Sequence, residues 1–199
     1  IGVFHFLFFF IILYSAIPTD IQPHVYHAID VNDGQKDYPS PFLFYLLVNL
    51  FSGFTSNFRV MLIVAISLLT IAKTAKYIIT KSIIRCLCPS EIKHQSIMIV
   101  SLGLVFFFTL PDLSSIVEGR FYIGRFVPNL WHNSTTILVF PFALLLFKKH
   151  FETFDKVIIT KKDYLVLLFL MIMNVFIKPS FLFVYFPVAL LLSFFHHGF

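Results

Sequence analysis

Long apolar runs separated by short polar stretches constrain this chain more than any other feature. Runs rich in Leu, Ile and Phe recur at 1–17, 41–54, 58–72, 96–110, 134–147, 164–177 and 181–195. Charged residues make up 13% of the chain, against about a quarter in an ordinary soluble domain, and most lie between the runs. This is the hydropathy pattern of repeated membrane spans, and water offers no place to hide so much apolar surface. The reading is an all-α fold, a polytopic transmembrane bundle of six or seven hydrophobic segments. It forms a single domain over 1–199.

The basic residues fall into two stretches, one holding Lys73, Lys76, Lys81, Arg85 and Lys93, the other Lys148, Lys149, Lys156, Lys161 and Lys162. Flanking apolar segments, they fit cytoplasmic loops facing anionic lipid, and they exclude nucleic acid as the expected partner of a chain with net charge +5. Two spans between these loops put 111–133 on the opposite, extracytoplasmic side. Cys86 and Cys88 stand too close for an ordinary disulfide and read as interfacial thiols. Position 1 is Ile rather than Met, which reads as an N-terminal portion of a longer protein.

The side of loop 18–38 depends on segment 41–54. Fourteen helical residues rise about 21 Å, short of a hydrocarbon core of about 30 Å, so the segment is either re-entrant or a full span extended by its flanks. In the first case the loop is extracytoplasmic, in the second cytoplasmic.

Three stretches carry candidate chemistry. Loop 18–38 holds Asp30 and Asp33 with His24 and His27 upstream, a set that can activate a hydroxyl or hold a divalent cation; its Asn32-Asp33-Gly34 also fits a plain turn. Segment 119–136 holds Arg120 and Arg125 for phosphate oxygens and Trp131 and Tyr122 as faces for a sugar or an isoprenoid head. His132 and Asn133 follow, then Ser134, Thr135 and Thr136, which suit a helix start. An aromatic belt with arginine anchors accounts for Trp131 and Arg125 equally well. Lys178-Pro179-Ser180 separates two apolar runs, and a lysine there must snorkel, line a cavity or meet an anion.

Taken with Tyr38-Pro39-Ser40-Pro41, Pro128-Asn129-Leu130-Trp131-His132-Asn133 and Lys178-Pro179-Ser180-Phe181, the order of these features resembles multispanning glycosyltransferases that use polyprenyl-phosphate sugar donors, and related bacterial cell-surface polysaccharide membrane proteins. The resemblance implies a multi-pass protein of the bacterial cytoplasmic membrane. It implies Asp30 or Asp33 as the base toward a saccharide acceptor, with His132 beside it. Arg120, Arg125 and Lys178 would hold the lipid phosphate, with Trp131 and Asn133 lining the site. Its rivals are a transporter or flippase of lipid-linked saccharide, which would use intramembrane polar residues such as Asn49 and Asn174, and a non-catalytic scaffold, which predicts no convergence of polar groups.

Overall fold

The computed structural model describes residues 1–14, 19–88, 92–106, 133–154, 156 and 159–197. Its described residues form eight helices: α1 (Gly2–Tyr14), α2 (Ile21–Asn32), α3 (Leu43–Phe51), α4 (Phe58–Leu87), α5 (His94–Phe106), α6 (Ser134–Phe154), α7 (Lys161–Ile177) and α8 (Ser180–His197).

Local chemistry sets several boundaries. Asn57 starts α4, its side chain accepting from the amides of Arg59 at 3.0 Å and Val60 at 3.3 Å. Asn133 does the same for α6, with the Thr136 amide 3.0 Å from its Oδ1. A reciprocal capping box starts α7: the Thr160 hydroxyl accepts from the Asp163 amide, and the Asp163 carboxylate accepts from the Thr160 amide. The turn before α4 needs left-handed backbone at Gly53 (φ 69°) and Phe54 (φ 55°).

Helix α4 is the central element, with α1, α2, α3, α5 and α6 packed on it; α7 lies on α6, and α8 on α7. Phe9, Ile21, Val25, Phe44, Val48, Met61, Leu69, Ile137 and Ile177 meet in the main core. Each such side chain contributes about 1.5–3 kcal/mol when fully buried. The ring of Phe140 lies 4.6 Å from Lys76 Nζ, and Lys148 Nζ donates to Ser82 Oγ at 2.8 Å, so α6 runs parallel to α4. Lys149 pairs with Asp163 at 2.5 Å, which folds α7 back antiparallel along α6.

The expected set of six or seven membrane-crossing segments does not hold. Among the described residues one helix, α4, is long and apolar enough to cross a membrane, and the apolar stretches Gly2–Ile11, His94–Val105 and Ser180–Phe195 are shorter. Segment 41–54 contracts to the nine residues of α3, which rise about 14 Å and pack on α2 and α4. Helices α6 and α7 carry Lys148, Lys149 and Glu152, and Lys161, Lys162 and Asp163, within their own length. The physical reason is that an apolar run is also what a core requires: Phe44, Val48, Ile137 and Val139 are buried against protein. Two supposed loops are helical as well, since α2 occupies most of 18–38 and α4 continues through Leu87 into the first basic stretch.

Candidate functional site

The site is assembled where four segments meet. Asp20 precedes α2 but makes no side-chain bond to that helix's own amides. Its Oδ1 instead accepts from both the amide and the hydroxyl of Ser134 at the start of α6, each at 2.8 Å. Its Oδ2 stands 3.1 Å from His24 Nε2, one turn along α2. His24 Nδ1 lies 2.6 Å from the Tyr45 hydroxyl of α3. A carboxylate only accepts, so His24 donates from Nε2 to Asp20 and its Nδ1 lone pair accepts the hydrogen bond of the Tyr45 hydroxyl.

The fourth segment is the break between α7 and α8. Lys178 Nζ donates to Asn133 Oδ1 at 3.0 Å and to Thr136 Oγ1 at 2.6 Å, which engages two of its three N–H donors among the described residues. Lys178, Asn133, Thr136, Ser134, Asp20, His24 and Tyr45 thus form one continuous polar belt around the start of α6. From the pairing of Phe140 with Lys76, Ser134 lies about 9 Å further back along α6, level with the middle of α4.

Burial and hydrogen bonding act on three of these groups. Burial pushes the Asp20 carboxyl up, but the hydrogen bonds from His24 and Ser134 outweigh it and leave Asp20 below the ordinary aspartate range. Burial lowers Lys178, and the nearby charge of Asp20 opposes that shift. Burial raises the Tyr45 hydroxyl, and Asp20 adds to the rise.

Two polar atoms beside this belt lack a partner among the described residues. Asn174 is fully buried one turn before Lys178; its Nδ2 donates to the Leu170 carbonyl at 2.8 Å while its Oδ1 is unpaired. His27, one turn after His24, rests its ring 5.0 Å from that of Tyr45, with Nε2 buried and unpaired.

Of the residues singled out in the sequence, Lys178 and Asn133 touch each other here. Asp30 pairs instead with Lys36 at 2.6 Å, and Asp33 accepts from Ser56. Helix rise sets Asp30 about 15 Å and Asp33 about 20 Å along α2 from Asp20, away from Lys178. Arg120, Arg125, Trp131 and His132 lie outside the described residues. Among those described, no three His, Cys, Asp or Glu side chains are grouped so as to hold a metal ion. Sequence reasoning passed over Asp20 and Tyr45; the i, i+4 spacing of Asp20 and His24 was the available signal, once 21–32 is read as a helix. The chain matches no protein-family model, no curated protein and no solved structure.

Proposed function

We propose that this is a membrane glycosyltransferase taking a sugar from a polyprenyl-phosphate-linked donor, anchored in a bacterial cytoplasmic membrane through α4. The observation that carries the reading is the convergence of a hydrogen-bonded acid, base and hydroxyl set, Asp20–His24–Tyr45, on the same helix start that receives Lys178. The membrane part is supported by α4, of which one third of the apolar window is buried, whereas a soluble core helix is mostly covered. It is also supported by the outward faces of α7 and α8, where Leu165, Phe183 and Phe195 are 66%, 75% and 79% exposed.

In this reading the acceptor hydroxyl displaces that of Tyr45 at His24 Nδ1. Its oxygen forms the bond to the anomeric carbon while the bond from that carbon to the donor phosphate breaks, and the proton passes to His24. Asp20 holds the ring and stabilises the imidazolium. The departing lipid phosphate keeps the electron pair and meets the Lys178 ammonium beside the start of α6. The apolar faces accommodate the polyprenyl chain.

The test uses the full chain in lipid nanodiscs with radiolabelled polyprenyl-phosphate-mannose and polyprenyl-phosphate-glucose. Binding should fall at least ten-fold in Lys178→Met, while His24→Gln should keep binding and lose sugar transfer. Failure of the chain to bind either donor or bare polyprenyl phosphate refutes the proposal. A second reading, movement of the same lipid-linked saccharide between leaflets, is favoured by the helix break at Lys178-Pro179 lying at mid-height of α4. Donor bound without transfer but exchanged between leaflets of a proteoliposome would select it.

A further inference from the structure

The two ends of α4 differ in charge. At its start, Asp33 at the end of α2 accepts from Ser56, and Asp30 and Asp37 lie close by in the chain, with Lys36 and Arg59 as the nearby bases. At its other end the hydrogen bonds already described gather four segments. Lys148 of α6 reaches Ser82 of α4, and Lys149 of α6 and Lys156 of the connection both reach Asp163 of α7. The same level carries Arg85, Lys161 and Lys162, all exposed. Two acids, Glu152 and Asp163, face these bases among the described residues. Asp163 is buried and already taken by Lys149 and Lys156, and Glu152 stands 3.5 Å from Lys148. Over the described residues the outward charge of this end is therefore positive.

Beside the cations lie apolar and aromatic side chains that no core covers. Leu87, Phe151, Tyr164 and Leu165 are each more than half exposed. Bases alternating with exposed aromatic and aliphatic groups at one level match the boundary of a bilayer, where ammonium and guanidinium groups meet headgroup phosphates and the rings reach the acyl region. A nucleic acid would need the bases without the aliphatic collar. We infer that this end, built from the C-terminal turns of α4 and α6 and the N-terminal turns of α7, is a docking surface for anionic phospholipid headgroups. It sets the orientation of the chain, with the basic end against the negatively charged leaflet. The inference rests on the membrane reading of α4 but is independent of the glycosyltransferase chemistry.

The experiment reconstitutes the full chain in bilayers and compares spin-labelled phosphatidylglycerol with spin-labelled phosphatidylcholine by electron paramagnetic resonance. One Lys or Arg at an anionic surface is worth roughly a five-fold change in local affinity, so a several-fold preference for phosphatidylglycerol is expected at low salt, shrinking as salt rises. In the variant Arg85→Gln, Lys161→Gln, Lys162→Gln the preference should fall toward equality. All three side chains are exposed and none holds a bond in the core, so folding is kept, and an unchanged thermal midpoint verifies it. Equal association of both lipids with the wild type, or a preference that survives in the triple variant, overturns the inference while leaving the membrane reading intact. Failure of the wild type to enter bilayers overturns both.

Discussion

Replacing Asp20 tests whether the polar belt holds α2 to α6. In Asp20→Ala the Ser134 amide, in a fully buried residue, loses its acceptor, at about 1–3 kcal/mol for an unmet buried donor. The charged bond to His24 is lost as well, and the Ser134 hydroxyl must turn to another acceptor. About 3 kcal/mol in total is expected, which for a chain of this length lowers the thermal midpoint by roughly 6–12 °C. Asp20→Asn keeps a carbonyl oxygen for Ser134 and loses only the charge and the His24 bond, so it should cost about 1 kcal/mol, or roughly 2–4 °C. The assay is thermal unfolding in detergent followed by intrinsic fluorescence, with hydrogen exchange reporting protection at the first turn of α6. The order wild type, Asn, Ala is the signature. If both variants unfold with the wild type and the α6 amides keep their protection, Asp20 does not tie these helices together, and the site built on it falls.

Two further substitutions probe other parts of the fold. Asp163 is held well below the usual carboxylate range, first by Lys149 and then by Thr160, with burial opposing and Lys156 assisting. A lowered folded-state value contributes stability that is full above the ordinary aspartate range of about 3.9 and is lost as pH falls below it. The wild-type midpoint should therefore drop between about pH 5 and pH 2, and Asp163→Asn should flatten that limb; parallel curves would refute the pairing. Gly53→Ala meets open space but must adopt φ 69°, so it should cost roughly 1 kcal/mol through backbone strain alone, read as a fall of about 2–4 °C. An unchanged midpoint would show that this turn tolerates a side chain.

The helices were legible in the sequence where an apolar run carried them and hidden where polar residues did. The run 58–72 announced the first half of α4, but Lys76, Lys81 and Arg85 made its second half read as a loop. In the structure Lys73 and Lys76 are buried against neighbouring helices, and a packed environment rather than propensity carries α4 to Leu87. The reverse error befell 41–54 and 134–147, where hydrophobicity was taken as contact with lipid although Phe44, Val48, Ile137 and Val139 contact protein. Hydropathy records how much surface avoids water and not which partner removes it, so it overcounts spans in a chain that also builds a core from the same residues.

The candidate site moved for a related reason. Taken as a loop, 18–38 lets any of its four aspartates reach any partner, and Asp30 and Asp33 attract attention through their spacing. Taken as α2, it fixes Asp20 and Asp30 about 15 Å apart, so one helix end can join the belt only by excluding the other. Burial of Ile21, Val25 and Ala28 against α3 and α4 sets the face that α2 presents, and that face carries His24 toward Tyr45. Lys178 was conspicuous because a base between two apolar runs is costly to leave alone, whereas Asp20 was marked locally by its i, i+4 spacing to His24 alone, its other partner lying 114 residues away. A contact of that range is written in the packing of α2, α4 and α6 together. The functional chemistry therefore stands or falls with the core that brings Ser134 to Asp20.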